Sequence, residues 1–195
     1  MAQKGQRQKQ AGIINLFRRI HRDTTVFLFL FFFIISVSGV LLGWKKNSGG
    51  YLLPKTQQGT SSELSAWLPL DSLIKNAEQY LHDSISPDLS SDPERIDIRK
   101  DKGVIKLIYS DHFYEVQLDG VSGELLQIKK RRSDFIERIH DGSIIDYYLN
   151  TGSNVFKLIY TSLMGISLLL FTVTGFWLWY GPKRMKAARN KSGLK

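Results

Sequence analysis

The sequence predicts an α+β membrane protein, in which two transmembrane helices flank a small domain built from one helix packed on an antiparallel sheet. Three observations lead to this prediction: two long stretches without charged residues, basic clusters beside each stretch, and a polar region between them with one amphipathic and several alternating segments. The predicted order is a basic N-terminus at 1–23, a first span at 24–44, a linker at 45–65, the domain at 66–132, an amphipathic juxtamembrane segment at 133–157, a second span at 158–180 and a basic tail at 181–195.

The two apolar stretches have the length of membrane-spanning helices. The first has 21 residues and the second has 23. At 1.5 Å per residue they make roughly 31 and 34 Å, against about 30 Å for the core of a bilayer. No cleavage site of small residues follows the first stretch, so we expect an uncleaved anchor rather than a signal peptide.

The net charge of +9 is carried by the two ends of the chain. Residues 1–23 hold six Lys/Arg and one Asp, residues 183–195 hold six Lys/Arg and no acid, and the remainder holds 15 basic and 17 acidic residues. A nucleic-acid binder would concentrate this charge on a folded domain, so we expect no nucleic-acid partner. Basic clusters beside apolar spans mark the cytoplasmic side, which predicts a lipid bilayer as partner and both termini in the cytoplasm.

The two spans share a pattern of small and hydroxyl residues near their C-terminal ends. Small residues let membrane helices approach closely, and hydroxyl groups can bond across a helix pair or back to their own helix. The pattern predicts helix packing, and a dimerisation or cofactor-contact face is the alternative. The candidate packing residues are Ser36, Ser38, Gly39, Gly43, Thr172, Thr174 and Gly175.

Between the spans, residues 45–65 are rich in Gly, Ser, Gln and Thr and predict a loose linker. Apolar residues then recur at helical spacing from 69 to about 83, with Pro69 suited to the first helical position. Alternating segments and turn residues predict a four-stranded meander, with strands at 95–99, 104–109, 113–118 and 124–130. The helix should cover one face of this sheet.

The residues point away from a self-contained enzyme. The chain has no cysteine, which excludes a disulfide framework and a thiolate site in this sequence. It also has no HExxH, no Gly-x-Ser-x-Gly and no Gly-rich phosphate loop. A basic run at 129–132 precedes an amphipathic segment at 134–140, which we expect to touch lipid headgroups, with an anionic ligand or siderophore as the alternative.

Residues 114–125 read YEVQLDGVSGEL, and this segment resembles the repeat unit of the PepSY domain, in which a strand ends in Asp and turns through Gly. Short segments beside and within the spans resemble PepSY-associated transmembrane helix proteins. These segments are residues 20–22, Gly39, residues 139–142 and residues 174–179. The resemblance covers residues 13–185. It implies an extracytoplasmic PepSY-like domain on a multi-pass protein of the bacterial cytoplasmic (inner) membrane. Large members are iron-regulated, and some are haem-containing ferric-siderophore reductases with at least four spans, so this two-span chain resembles half of one.

The resemblance also makes His21 and His140 candidate ligands of haem b. They lie near opposite ends of the membrane crossing, about 30 Å apart, so one chain cannot use both on one iron. A homodimer would bring two copies of each together. His82 and His112 are interpreted as surface residues. Two functions follow: a non-enzymatic anchored subunit that binds or regulates a partner, such as a peptidase, a transporter or another membrane subunit, or a haem-bearing electron-transfer component of iron uptake.

Overall fold

The computed structural model describes the backbone of residues 2–191 and the side chains of residues 8–187. The predicted fold class, an α+β protein with one apolar helix before and one after a four-stranded antiparallel sheet in the sequence, is confirmed. In order, the elements are α1 (Ala2–Gly43), α2 (Leu70–Ser84), β1 (Arg95–Arg99), β2 (Val104–Ile108), β3 (Tyr114–Asp119), β4 (Leu125–Lys130), α3 (Arg132–His140), α4 (Ser143–Leu149) and α5 (Val155–Lys191).

The chain folds as two compact units. The helix unit comprises residues up to 37 and from 139 onward, and the domain unit is Ser38–Arg138. Two stretches of helix are long and apolar enough to cross a membrane, Gln8–Gly43 in α1 and Val155–Ala187 in α5. Both helices continue past the predicted spans, and α5 passes through Pro182, which lacks the N–H that a helix interior would use.

The sheet is a simple meander in the order β1-β2-β3-β4, with every neighbouring pair antiparallel. β1 and β2 are joined by a short 3-10 turn at Lys100–Lys102 and by Gly103, whose φ of +68° is a left-handed conformation that favours glycine. A register shift between Gln117 and Leu118 marks an irregularity in the pairing of β3 with β4.

The apolar core lies between α2 and one face of the sheet. Leu73, Ala77 and Leu81 recur on one side of α2 and are buried, as the helical period predicts. They pack on alternate residues of the two central strands, namely Ile105, Leu107, Val116 and Leu118, and on Tyr109, which directly follows β2. Successive side chains of a strand point to opposite faces, so every second residue of β2 and β3 lies on this face. The single helix α2 packs on these residues.

The opposite face of the sheet is polar and is covered by an extended segment, residues 52–61, here called the strap. Gln57 N donates to Gln117 Oε1 at 2.9 Å, and Gln117 Nε2 donates to Lys55 O at 3.0 Å. Gly59 lies so close to the β1–β2 turn that a Cβ on it would sit 2.2 Å from Gly103 O. Residues 55–60 of the segment whose composition predicts a loose linker are therefore bonded to the sheet and to its β1–β2 turn.

Candidate functional site

Within the helix unit, α1 and α5 pack against each other in antiparallel directions. Residue numbers at the contacts rise along α1 and fall along α5: Ile14 meets Gly181, His21 meets Thr174, and Phe31 meets Tyr160. On α5 the inward positions recur every three or four residues, which is the spacing of a coiled-coil seam. These buried or half-buried residues are Tyr160, Met164, Ser167, Phe171 and Thr174.

His21 and Thr174 form the polar centre of this pair. His21 Nδ1 lies 2.8 Å from Thr174 Oγ1, and the imidazole ring meets the edge of the Phe171 ring with centroids 5.0 Å apart. Thr174 is 2% exposed, so its hydroxyl is removed from solvent. A Cβ placed on Gly175 would be 3.9 Å from His21 Cε1, an ordinary contact distance.

Thr174 also connects His21 to the backbone of α5. Its Oγ1 lies within hydrogen-bond distance of Leu170 O, at 2.7 Å, in its own helix. When the hydroxyl donates to Leu170 O, its oxygen accepts from His21, and the Nδ1 atom carries the ring proton. In that tautomer Nε2 keeps a lone pair, which is the arrangement in which a second-shell partner orients a metal-ligating histidine.

The remaining candidate packing residues have varied surroundings. Ser36 Oγ donates to Phe32 O at 2.7 Å and Thr172 Oγ1 to Leu168 O at 2.9 Å, so both hydroxyls bond to their own helices on exposed positions. Ser38 is buried, Gly39 is half-buried, and a Cβ on Gly43 would meet nothing within 4 Å. Of the predicted set, Thr174 and Gly175 are the residues that meet His21.

His140 ends α3 and is half-buried. The chain after it forms a cluster of polar contacts that sequence reasoning missed. Asp146 on α4 accepts hydrogen bonds from Thr151 Oγ1 at 2.6 Å, Lys157 N at 2.8 Å and Phe156 N at 3.2 Å. The last two are first-turn N–H groups of α5, which have no partner within the helix, so Asp146 caps α5 from a distance.

The same cluster neutralises the charges around the start of α5. Lys157 Nζ lies 2.7 Å from Asp141 Oδ2. Desolvation opposes the ionisation of Asp146, but the hydrogen bonds from Thr151 and from the backbone of α5 outweigh it and lower the pKa of this carboxyl. For Asp141, desolvation is likewise outweighed by bonds from Lys157 and Ser143, which lower its pKa.

In the domain unit, the polar face of the sheet holds a buried ionic cluster centred on Glu115, whose side chain is 0% exposed. Its carboxylate is paired with Lys106 Nζ at 3.2 Å and with Arg131 Nη1, and Gln117 Nε2 donates to it at 2.6 Å. Arg131 Nε also contacts Asp134 at 2.6 Å. Desolvation would lower the pKa of Arg131, but these two carboxylates keep it raised.

The Asp-Gly turn of the PepSY-like segment has a clear physical basis. Asp119 Oδ1 accepts from Val121 N at 2.7 Å and from Ser122 N at 3.0 Å, closing the turn after β3. Its other oxygen accepts from Thr60 N at 2.6 Å and Thr60 Oγ1 at 2.7 Å, fastening the strap. These bonds outweigh desolvation and lower the pKa of Asp119. A Cβ on Gly120 would lie 2.2 Å from the Trp67 ring.

The basic run at 129–132 divides between surface and interior. Lys129 and Lys130 are exposed at the end of β4. The Arg131 side chain, 11% exposed, belongs to the Glu115 cluster. Arg132 Nη1 donates to Tyr51 O at 3.1 Å, and its guanidinium lies 4.3 Å from the centroid of the Tyr51 ring. Only part of the run is therefore available to a lipid headgroup or an anionic ligand.

His82 and His112 hold one loop from two sides. His82 Nε2 donates to Leu89 O at 3.0 Å, and His112 Nε2 donates to Ser90 O at 3.1 Å, so both rings are half-buried structural donors rather than free surface residues. His112 also stacks on Tyr109, with centroids 5.0 Å apart. Burial, with a smaller effect of Glu78, raises the pKa of Tyr109 to about 12.

No group of three or more His, Asp or Glu side chains suited to a metal ion occurs among the described residues. A family model described as the PepSY-associated TM region matches residues 18–195 of this chain. No curated protein matches it, and no solved structure does. The family match covers the helix pair, the domain between the helices, and both candidate histidines.

Proposed function

The chain belongs to the PepSY-associated TM region family, and from this membership we propose that it is a membrane-anchored binding or regulatory subunit that acts without catalysis. Its domain is displayed outside the bacterial cytoplasmic membrane, and both basic ends lie in the cytoplasm, on the side that the positive-inside rule assigns to them. Its partner is a second protein, of the class of peptidases, transporters or other membrane subunits.

The observation that carries this proposal is that the buried carboxylates of the domain are occupied by structural hydrogen bonds and ion pairs. Glu115 is saturated by Lys106, Arg131 and Gln117, and Asp119 by the donors of a turn and of the strap. A general acid or base must exchange a proton with a substrate that reaches it. Carboxylates whose oxygens accept hydrogen bonds from within the domain instead hold its backbone rigid, which suits a binding module.

The edge strand β1 offers a place for a protein partner to bind. It is the first strand of the sheet order, so one side of its backbone lies at the sheet edge, where an extended segment of a partner can pair. Ile98 on this strand is 53% exposed, so it offers an apolar side chain to a segment that pairs with β1. We therefore place the partner contact at β1.

Site-specific photo-crosslinking tests the binding function. A photoreactive amino acid at Ile98 of the full chain in its native membrane should form an adduct with one discrete protein. The matched control is Lys75, an exposed position on α2, which should form none. Equal adduct patterns at the two positions, or no adduct at Ile98, would contradict binding through β1.

A second candidate function, haem-b electron transfer in ferric-siderophore reduction, is favoured by the geometry of His21. A histidine ligates haem iron through one ring nitrogen, and Nδ1 of His21 is hydrogen-bonded to Thr174, which leaves Nε2 for the iron in the tautomer with the proton on Nδ1. Haem bound there would supply one-electron transfer. His21 and His140 each supply one ligand per chain, so this function requires a homodimer, which we propose as the assembly that completes it.

An optical spectrum separates the two candidates. Full-length protein purified from haem-supplemented cells should show a Soret band if the second function holds. His21→Ala should then abolish the band of that site, and Thr174→Val should keep haem but shift its midpoint potential, since the second-shell acceptor is lost. His82→Gln, which preserves a donor to Leu89 O, is the control. A wild-type protein without a Soret band leaves the binding function alone.

A further inference from the structure

Helix α4 carries an apolar face that no described part of the helix unit covers fully. Ile145, Tyr148 and Leu149 are 43, 72 and 61% exposed. They are three and four residues apart, so their side chains lie on one face of the helix. Three large apolar side chains grouped in this way mark a contact surface rather than scattered surface residues.

Helix α4 is fastened to the beginning of α5. Asp146 accepts from Phe156 N, Lys157 N and Thr151 Oγ1, which joins the middle of α4 to the first turn of the long helix. At the other end, Gly142 has a φ of +78° and lies against the Tyr160 ring, where an added Cβ would be 2.7 Å from ring carbons. α4 cannot leave this position without uncapping α5.

The charged groups next to the apolar face are engaged in other contacts. Ser143–Leu149 contains no basic residue, and its one acid, Asp146, is 7% exposed and occupied with the cap. Lys157 is paired with Asp141. A face that lacks charge but carries a tyrosine has the composition that favours the boundary between headgroups and acyl chains.

The position of α4 along the membrane normal follows from the cap. The predicted second span starts at Leu158 and the apolar stretch of α5 begins at Val155, so the residues to which Asp146 bonds, Phe156 and Lys157, lie at the start of the crossing. At 1.5 Å per residue these lie within about 5 Å of the bilayer core. We propose that α4 is an interfacial helix, which lies in the headgroup region at the N-terminal end of α5 with Ile145, Tyr148 and Leu149 in contact with lipid.

Spin labelling tests this proposal directly, because the chain has no cysteine and each single-cysteine variant carries one label. Nitroxides at Tyr148→Cys and Leu149→Cys are measured in the full chain in liposomes, by collision with oxygen, which concentrates in lipid, and with a water-soluble nickel chelate. Leu168→Cys, near the middle of the second span, is the membrane reference. Asp101→Cys, on the exposed β1–β2 turn, is the water reference. All four positions are exposed, so the substitutions leave the packing intact.

Labels at 148 and 149 should lie about 5–10 Å into the boundary, between the two references, with oxygen collisions exceeding those of the nickel chelate. Nickel accessibility equal to that at position 101 would overturn the proposal, because the face would then point into water. Immobile labels shielded from both reagents would also overturn it, because a protein would then cover the face. Adding Asp146→Ala should release α4 and raise label mobility at both positions.

Discussion

Replacing Glu115 by leucine should be the most damaging single change in the domain. Its side chain is 0% exposed and it is the carboxylate that pairs with Lys106, whose own side chain is only 6% exposed. Removing one partner of a buried ion pair leaves an uncompensated charge and costs about 3–5 kcal/mol. For a domain of about 100 residues, that lowers the melting temperature by at least roughly 12 °C.

The converse change should cost less, because the cluster is not symmetric. In Lys106→Leu, Glu115 keeps Arg131 and Gln117 as partners. In the double variant, leucines at both positions leave Arg131 with Asp134, and replacing a buried pair by apolar residues is often neutral or stabilising. The order of stability should therefore be the double variant above Lys106→Leu, and Lys106→Leu above Glu115→Leu.

Urea unfolding of the full chain in mild detergent, followed by near-UV circular dichroism, measures these free energies. The three variants and the wild type form a double-mutant cycle, which isolates the pair from its surroundings. Equal losses for the two single variants would refute the asymmetry. A double variant as unstable as Glu115→Leu would show that the loss arises from packing rather than from the unpaired charge of Lys106.

Two further variants test the turn and the strap. Asp119→Asn presents an amide donor to Thr60 N and should cost about 1.5–3 kcal/mol at neutral pH. Because the folded pKa of Asp119 is lowered, its contribution is fully present above the unfolded pKa of about 3.9 and is lost as pH falls through the folded value. Urea unfolding from pH 7 down to pH 3 should show the gap between wild type and variant closing below about pH 4, and a constant gap would contradict the assignment. Gly120→Ala should cost about 1–3 kcal/mol by overpacking against Trp67 and should shift that ring in near-UV circular dichroism. Gly43→Ala, which meets nothing within 4 Å, is its control, and equal effects of the two changes would contradict the packing argument.

The sheet and α2 could be predicted because burial on one face leaves a period in the sequence. β1 occupies Arg95–Arg99 as the alternation predicts, and α2 runs from Leu70 to Ser84 against a predicted 69–83. In each case the period of the apolar residues indicates which face of the element is buried. The apolar helices were predictable for the same reason, since lipid demands an uninterrupted apolar surface.

The strap and α4 could not be predicted because their stability comes from distant partners. The strap is polar and glycine-rich, and it is ordered only because Gln117 and Asp119, about 60 positions away, bond to its backbone. α4 is seven residues long and is held by Asp146. An isolated helix of that length is unstable in water, so local sequence carries little sign of it.

The candidate site was predicted in its components but not in its arrangement. His21 came from the family resemblance and Thr174 from the matched small-residue pattern, yet their contact depends on the register between α1 and α5. The three-and-four spacing of Phe171 and Thr174 with the other inward residues of α5 marks only the face of α5 that meets α1. Sequence patterns taken one helix at a time do not say which rows face each other.

The orientation of the domain is the claim on which the proposed function rests, and single-cysteine labelling tests it most directly. Asp101→Cys, in the exposed turn of the sheet, and Lys186→Cys, near the end of α5, each provide the only thiol in the chain. In intact spheroplasts a membrane-impermeant maleimide should label position 101 at once and position 186 only after lysis. Labelling of position 186 in intact spheroplasts, with position 101 protected, would contradict a domain displayed outside the membrane.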